Sequence, residues 1–167
     1  MRFAATTLLA CTLAAPCPAQ EPVGCDKFKW PLDKERATFN GTDLPKVVSG
    51  DGVKWPIPWA TIVALVPYAE AKFPLTQERA PKAPGTFAAV LQVSAPPRAG
   101  VYKITLSSEG WVDVVQGSQI VKSTDFTGAT GCDGVRKSVK FDLAAKPFAL
   151  ELSGVAADTI RIAISGQ

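Results

Sequence analysis

The chain has 167 residues, with 18 lysines and arginines against 15 aspartates and glutamates, and it contains no histidine. Because these charges are nearly balanced and interspersed, the composition predicts no nucleic-acid or membrane-surface partner. The missing histidine excludes serine–histidine and cysteine–histidine pairs, a histidine proton shuttle and the ordinary zinc and iron sites, so we expect neither a metal nor a cofactor.

Residues 1–19 have the pattern of a secretory signal peptide. Arg2 is a short positive region, an uncharged apolar run follows, and small residues precede a cleavage point after Ala19. We therefore expect a periplasmic or secreted protein. The alternative is a lipobox in "LLAC", but the region before Cys11 is very short, which disfavours lipoprotein anchoring through this residue. No later apolar run reaches the roughly 20 residues of a transmembrane segment.

Two of the four cysteines, Cys25 and Cys132, follow the predicted cleavage point. Exported proteins usually pair such cysteines in an oxidising compartment. Closing a loop of 107 residues (132 − 25) contributes about 4–5 kcal/mol in the chain-entropy description. The sequence therefore predicts a Cys25–Cys132 disulfide. The alternative, Cys132 as a reactive nucleophile, requires free thiols.

A short surface helix is predicted in "CDKFKWPLDKERATFNG". Pro31 suits the first helical turn, where its missing N–H costs nothing, and Asn40-Gly41 is a good stop signal. Leu32 and Phe39, seven residues apart, would face the body of the protein. Residues 41–58 carry glycine, proline and aspartate and are predicted to form a loop.

Residues 59–167 are predicted to form a mainly antiparallel, jelly-roll-like β-sandwich, in one domain with the helix-and-loop segment at 20–58. The apolar run 59–67 indicates a buried strand, and residues 68–85 an irregular connection. From Thr86 onward, period-two alternation recurs between turn signals about every 8–12 residues, which is typical of a sandwich. The predicted inward residues are Tyr102, Ile104, Leu106, Val139, Phe141, Leu143, Phe148, Leu150, Leu152, Ile160, Ile162 and Ile164.

Two resemblances accompany this pattern. Through "GVYKITLS", "WVDVV" and "VKFDLAAKPFALELSG", residues 100–164 resemble pre-peptidase C-terminal and carbohydrate-binding β-sandwich modules. That resemblance implies a sandwich fold; such modules often carry calcium or sugar sites, and none maps here residue by residue. Through "CDKFKWPL", "ERAPK", "GWVDVVQ" and "CDGVRKSVKF", the chain also resembles a group of short exported bacterial proteins of unknown activity. Some of these are labelled homogentisate dioxygenases, whose iron needs two histidines and a carboxylate.

The best candidate for a ligand-binding site is the stretch "GWVDVV". Trp111 and Asp113 lie two residues apart and share one strand face, while Val112 and Val114 share the other. If the valines belong to the core, Trp111 and Asp113 are exposed and can contact a ligand. If the sheet is covered on both sides, Trp111 is simply buried.

Basic residues follow the second mature cysteine in "CDGVRKSVKF". Arg136, Lys137 and Lys140 could form an anion-binding rim beside Trp111, and we assign Arg136 and Lys137 to the same candidate site. The alternative is a solvated strand edge, where lysines prevent edge-to-edge pairing.

The predicted function is a non-catalytic exported protein that binds an envelope polysaccharide or another exported protein. An enzyme of hydrolase or oxygenase type is the first alternative, disfavoured by the missing histidine. Such an enzyme would need paired carboxylates, a Ser–Lys pair or a tyrosine base, and the sequence predicts no catalytic residues. The second alternative is a purely structural envelope protein.

Overall fold

The computed structural model describes residues 20–55 and 60–166. The predicted leader at 1–19, including Cys11, and Trp59 lie outside these residues. Within them the fold is mainly β, with two sheets and one α-helix, as predicted. No helix in the described part of the chain is long and apolar enough to cross a membrane.

The helical elements are α1 (Asp33–Phe39) and two single-turn 3₁₀ helices, Cys25–Lys27 and Tyr68–Glu70. The strands are β1 (Lys46–Val48), β2 (Gly52–Val53), β3 (Thr61–Ala64), β4 (Val66–Pro67), β5 (Phe87–Val93), β6 (Gly100–Leu106), β7 (Trp111–Gln116), β8 (Gln119–Val121), β9 (Ser123–Gly128), β10 (Lys137–Leu143), β11 (Phe148–Val155) and β12 (Thr159–Gly166).

The two sheets form a jelly-roll-like sandwich. The first has the strand order β1-β3-β12-β6-β10-β9, and the second β2-β5-β11-β7-β8 with β4 also paired to β5. The chain passes back and forth between the sheets, so that sequence neighbours such as β11 and β12 lie in different sheets. The long strands pair antiparallel, and the short pairs β1 with β3 and β2 with β5 are parallel.

The core lies between the sheets and matches the predicted alternation. All twelve predicted inward residues are buried in one apolar cluster. Successive side chains of a strand point to opposite faces, so each period-two pattern delivers one apolar row to the sandwich interior. Val112 and Val114 contribute to the same cluster from β7.

The short strands differ from the prediction. Residues 41–58, expected to be a loop, contain β1 and β2, one on each sheet. The apolar run 59–67, expected to be one strand, is divided at Leu65, whose N–H donates to the Asp158 carbonyl at 2.7 Å. Because β3 pairs with β12 and β4 with β5, the chain changes sheets at this point.

The N-terminal segment covers the outer face of the first sheet. Helix α1 buries Leu32 and Phe39 as predicted, although it begins at Asp33, so that Pro31 precedes it. These residues form a second apolar cluster with Val135 and with Ala163, an outward residue of β12.

A disulfide joins this segment to the sandwich. Cys25 and Cys132 are bonded, with their Cα atoms 4.7 Å apart, which confirms the predicted pair. Beside it, the Gly24 N–H donates to the Thr130 carbonyl at 2.8 Å, within an isolated parallel bridge between Val23 and Thr130. Cys132 therefore has a structural partner and is not a free nucleophile.

The irregular connection before β5 covers the outer face of the second sheet. Phe73 and Leu75 pack there, with Gln77 half-buried two residues further along. This spacing is that of an extended chain with every second side chain facing the sheet. We call residues 73–79 the strap. Phe73 and Leu75 pack, as does Ile120 of β8, against an outer-face cluster of Val90, Val115 and Ala149.

Candidate ligand-binding cleft

A cleft of about 560 Å³ lies beside Trp111, at the start of β7. This volume falls in the range of small-molecule sites, about 300–1,000 Å³. Its walls come from the first residues of β7 and β10 and from β9. Arg79, the last residue of the strap, and residues 80–83 that follow it complete the walls. The aromatic and basic side chains lining this cleft, which we call the Trp111 cleft, are Trp111, Phe126, Arg79, Lys82, Arg136 and Lys137.

Trp111 is held in place by one hydrogen bond and two cations. Its indole Nε1–H donates to Asp113 Oδ1 at 2.8 Å. The Arg79 guanidinium carbon lies 4.6 Å from the ring centre and Lys137 Nζ lies 5.0 Å from it. Both separations are within the usual limit of about 6 Å for a cation–π interaction. The ring is half-buried and part of the cleft wall.

Arg136 and Lys137 reach the same cleft but differ in charge balance. The Arg136 guanidinium lies 2.8 Å from the carboxylates of both Glu21 and Glu109. Lys137 Nζ instead donates to the Gly110 carbonyl at 3.0 Å. Burial lowers the pKa of Lys137, and although Glu109 opposes this shift, the neighbouring basic groups add to it. Arg136 is thus neutralised locally, whereas Lys137 lies in a positive environment.

Two further cations extend this positive environment. Arg79 and Lys82 are exposed, and no described carboxylate lies within ion-pair distance of either side chain or of Lys137. Four cations and two acids line the cleft, a surplus of two positive charges. The arrangement can therefore bind an anionic group beside an aromatic ring.

Asp113 does not lie on the surface, contrary to expectation. Val112 and Val114 are in the core, yet Asp113 is only 3% exposed. The expectation was wrong because the sheet is covered on both sides here: the strap lies over Asp113, and Glu78 of the strap is close enough to influence the pKa of its carboxylate. Of the four predicted ligand residues, Trp111, Arg136 and Lys137 line the cleft, and Asp113 holds Trp111 through a hydrogen bond. Lys140, expected in the same basic rim, does not line the cleft: its Nζ lies 4.2 Å from the centre of the Trp30 ring.

A second carboxyl group lies next to Asp113. Glu151 of β11 is its direct cross-strand partner and is fully buried. Side chains at such positions have Cβ atoms about 4.5–5.5 Å apart. Neither Glu151 oxygen has a hydrogen-bond partner among the described residues, and neither does Asp113 Oδ2 or Ser153 Oγ.

The environment of this acid pair favours protonation. Burial raises the pKa of Glu151 to about 7, and the Asp113 charge adds to the shift. Burial also raises the pKa of Asp113, against the lowering effect of the Trp111 hydrogen bond. Neither carboxyl lines the cleft, so the pair has no direct access to a ligand there. Among the described residues, no group of three or more His, Cys, Asp or Glu could hold a metal ion.

The cleft also contains three residues that were not predicted from the sequence: Arg79, Lys82 and Phe126. Arg79 and Lys82 lie in the irregular connection, and their place depends on the path of the strap across the sheet. A local signal does exist, because Phe73 and Leu75 have the period-two spacing of a chain packed on a surface. Phe126 is 61% exposed on β9, a strand that was not predicted.

A second groove of about 370 Å³ borders the disulfide. It is formed largely by the N-terminal segment, including Trp30 and Arg36, whose guanidinium lies 3.2 Å from Cys25 Sγ. Its cations, Lys29 and Arg36, are balanced by two acids in the same walls, Asp26 and Asp33. Because it lacks a surplus of charge, this groove is the weaker candidate for a charged ligand.

Comparison of the chain with protein-family models, curated proteins and solved structures found no match. What the Trp111 cleft can bind therefore has to be inferred from its own chemistry.

Proposed function

We propose that the chain is an exported, non-catalytic binding protein whose Trp111 cleft holds a segment of an anionic envelope polysaccharide. The observation that carries the proposal is the combination of two aromatic rings, Trp111 and Phe126, with three cations that have no acid partner among the described residues. The rings can pack against the C–H faces of a sugar, and the cations can bind its acidic substituents.

The type of cation supports an acidic substituent. The guanidinium of Arg79 is planar and suits two parallel hydrogen bonds to a carboxylate or sulfate. It already lies against the Trp111 ring, so its orientation is restricted before a ligand arrives. Lys82 and Lys137 add positive charge without imposing a geometry. A sugar acid packed on the ring would place its charged group close to all three.

The buried position of the acid pair favours binding over catalysis. Two adjacent carboxyls are the usual requirement for sugar hydrolysis, with one group on each side of the bond to be cut. Here Asp113 and Glu151 are buried beneath the strap and do not line the cleft. The disulfide supports export, because such bonds persist in oxidising compartments.

The proposal is tested with two double variants of equal charge. Arg79→Gln with Lys82→Gln removes two cleft cations, and Lys72→Gln with Lys146→Gln removes two exposed cations that do not line it. Retention is measured by affinity electrophoresis in polygalacturonate, an acidic polysaccharide, and in dextran, a neutral one.

We expect the unmodified protein to be retarded by polygalacturonate and not by dextran. The cleft variant should lose about tenfold in affinity, roughly 1.4 kcal/mol, and the control variant much less. Equal losses in the two variants would indicate non-specific attraction between charges, and no retardation in polygalacturonate would contradict the proposal.

A further inference from the structure

No cation of the described residues lies at hydrogen-bond distance from the acid pair beneath the strap. Asp113 comes from β7 and Glu151 from β11, and the residue of β5 that pairs with Glu151 is the uncharged Val90. The charges that affect Asp113 are those of Glu78 on the strap and Lys137 on β10, and only Asp113 affects Glu151. The strap therefore adds a negative group above the pair.

Two ionised carboxylates cannot both persist in such a place. Burial removes water from each charge, and two negative charges at neighbouring positions repel each other strongly. One proton shared between them removes the repulsion and provides an O–H donor, which would pair an Asp113 or Glu151 oxygen that now has no partner. The closed structure is thus compatible with one charge in the pair and not with two.

The pair is linked to both the strap and the cleft through Asp113. Its carboxylate accepts the Trp111 indole N–H of the cleft wall at 2.8 Å, and Glu78 of the strap lies close enough to influence its pKa. The next strap residue, Arg79, lies over the Trp111 ring. A movement that lets water reach the pair must separate the strap from Asp113, and it would carry Arg79 away from the ring.

We propose that Asp113 and Glu151 share one proton while the strap is closed, and that loss of this proton loosens the strap and weakens binding in the Trp111 cleft. The effect on binding rests on the proposed function, whereas the effect on the strap does not. The pKa of Glu151, about 7, puts the transition near neutral pH: the proton is held below this value and released above it.

The strap is tested first, without any ligand. Hydrogen–deuterium exchange of residues 73–79 is followed at about pH 5.5 and about pH 8.5 in the presence of a chelator, with rates corrected for intrinsic exchange. We expect protection of the strap to fall about tenfold or more at the higher pH, and protection of β6 to stay constant. Unchanged protection of the strap would overturn the proposal.

Glu151→Gln identifies the group responsible. The amide has the shape of the protonated acid and cannot ionise, so the strap should stay protected at both pH values. If the variant keeps the pH response, Glu151 is not the group that releases the proton and the proposal fails. If Ca²⁺ restores protection of the unmodified protein at about pH 8.5, the pair is a cation site and the proposal is likewise overturned.

Retention in polygalacturonate, whose carboxylates stay ionised over this range, then tests the link to binding. We expect the unmodified protein to lose affinity severalfold at the higher pH and Glu151→Gln to keep it. If the strap responds to pH but no retention occurs at any pH, the proposed function fails and the proton-sharing pair stands. If retention occurs and the protection of the strap does not change with pH, the proposal of a shared proton is contradicted and the proposed function stands.

Discussion

The two outer faces of the sandwich are covered in different ways. Over the first sheet, Glu35 of α1 is buried, but it lies 3.0 Å from Lys103 Nζ and accepts the Ser165 hydroxyl at 3.1 Å. Over the second sheet, Glu151 is buried, and the part of the chain that the structure describes gives neither of its oxygens a cation or a donor. The first cover is also attached by a disulfide, and the second is held by apolar packing.

Because of this difference, we expect the N-terminal segment to be a fixed cover and the strap to be a releasable one. A buried acid with a cation and a hydroxyl partner does not favour removal of its cover, because exposure would break both contacts. A buried acid pair without a cation favours exposure as soon as it carries two charges. The cleft cations Arg79 and Lys82 belong to the releasable cover or follow it directly.

Removal of the disulfide should cause the largest loss of stability and should loosen the first cover. Replacing Cys25 and Cys132 by serine frees a loop of 107 residues, so the free energy of unfolding should fall by about 4–5 kcal/mol. Urea denaturation measures this loss, and hydrogen exchange should show faster opening of the N-terminal segment. The strap should keep its protection, and equal loosening of both covers would contradict the distinction between them.

A rise in pH should loosen the second cover and leave the first in place. The pKa of Glu151 is raised from 4.5 to about 7 in the folded protein, so the folded state binds more protons between these values. The stabilisation that comes from keeping Glu151 protonated is complete below about pH 4.5. It is lost as the pH rises to about 7, which lowers the free energy of unfolding by at most about 3 kcal/mol. Urea denaturation at several pH values should show this decline, and Glu151→Gln should flatten it.

Much of the sandwich could be predicted because its signal is local. Each long strand carries its own period-two pattern, which fixes the inward residues, such as Ile104 and Leu150, without knowledge of the pairing. The exchange of sheets at Leu65 and the pairing of β1 and β2 could not be predicted, because they depend on partners distant in sequence. The disulfide was predictable because only two cysteines follow the expected leader.

The candidate site was only partly predictable, for the same reason. Trp111 and Lys137 come together because β7 and β10 begin at the same end of the sandwich, where Lys137 reaches the Gly110 carbonyl. The burial of Asp113 follows from the path of the strap, which no pattern in β7 encodes. Alternation alone makes an aspartate between two core valines an exposed residue, and the strap reverses that expectation.

The smallest expected effect comes from two matched tryptophan variants, Trp30 in the first cover and Trp111 beside the second. Trp111 Nε1–H donates to Asp113 Oδ1 at 2.8 Å, and Trp30 Nε1–H donates to the Ser138 hydroxyl at 3.3 Å. Substitution by phenylalanine removes the donor in each case and keeps an aromatic ring. Each variant should lose about 1 kcal/mol of unfolding free energy, but the consequences for the covers should differ.

In Trp111→Phe, Asp113 loses a donor that stabilises its charge, so the acid pair should hold its proton to a higher pH and the strap should open later. In Trp30→Phe, the affected acceptor is a hydroxyl that also contacts the Thr105 hydroxyl at 3.0 Å, and no carboxylate is involved. Exchange of residues 73–79 as a function of pH distinguishes the two variants. An unshifted transition in Trp111→Phe, or an equal shift in Trp30→Phe, would show that the cleft tryptophan is not coupled to the acid pair through Asp113.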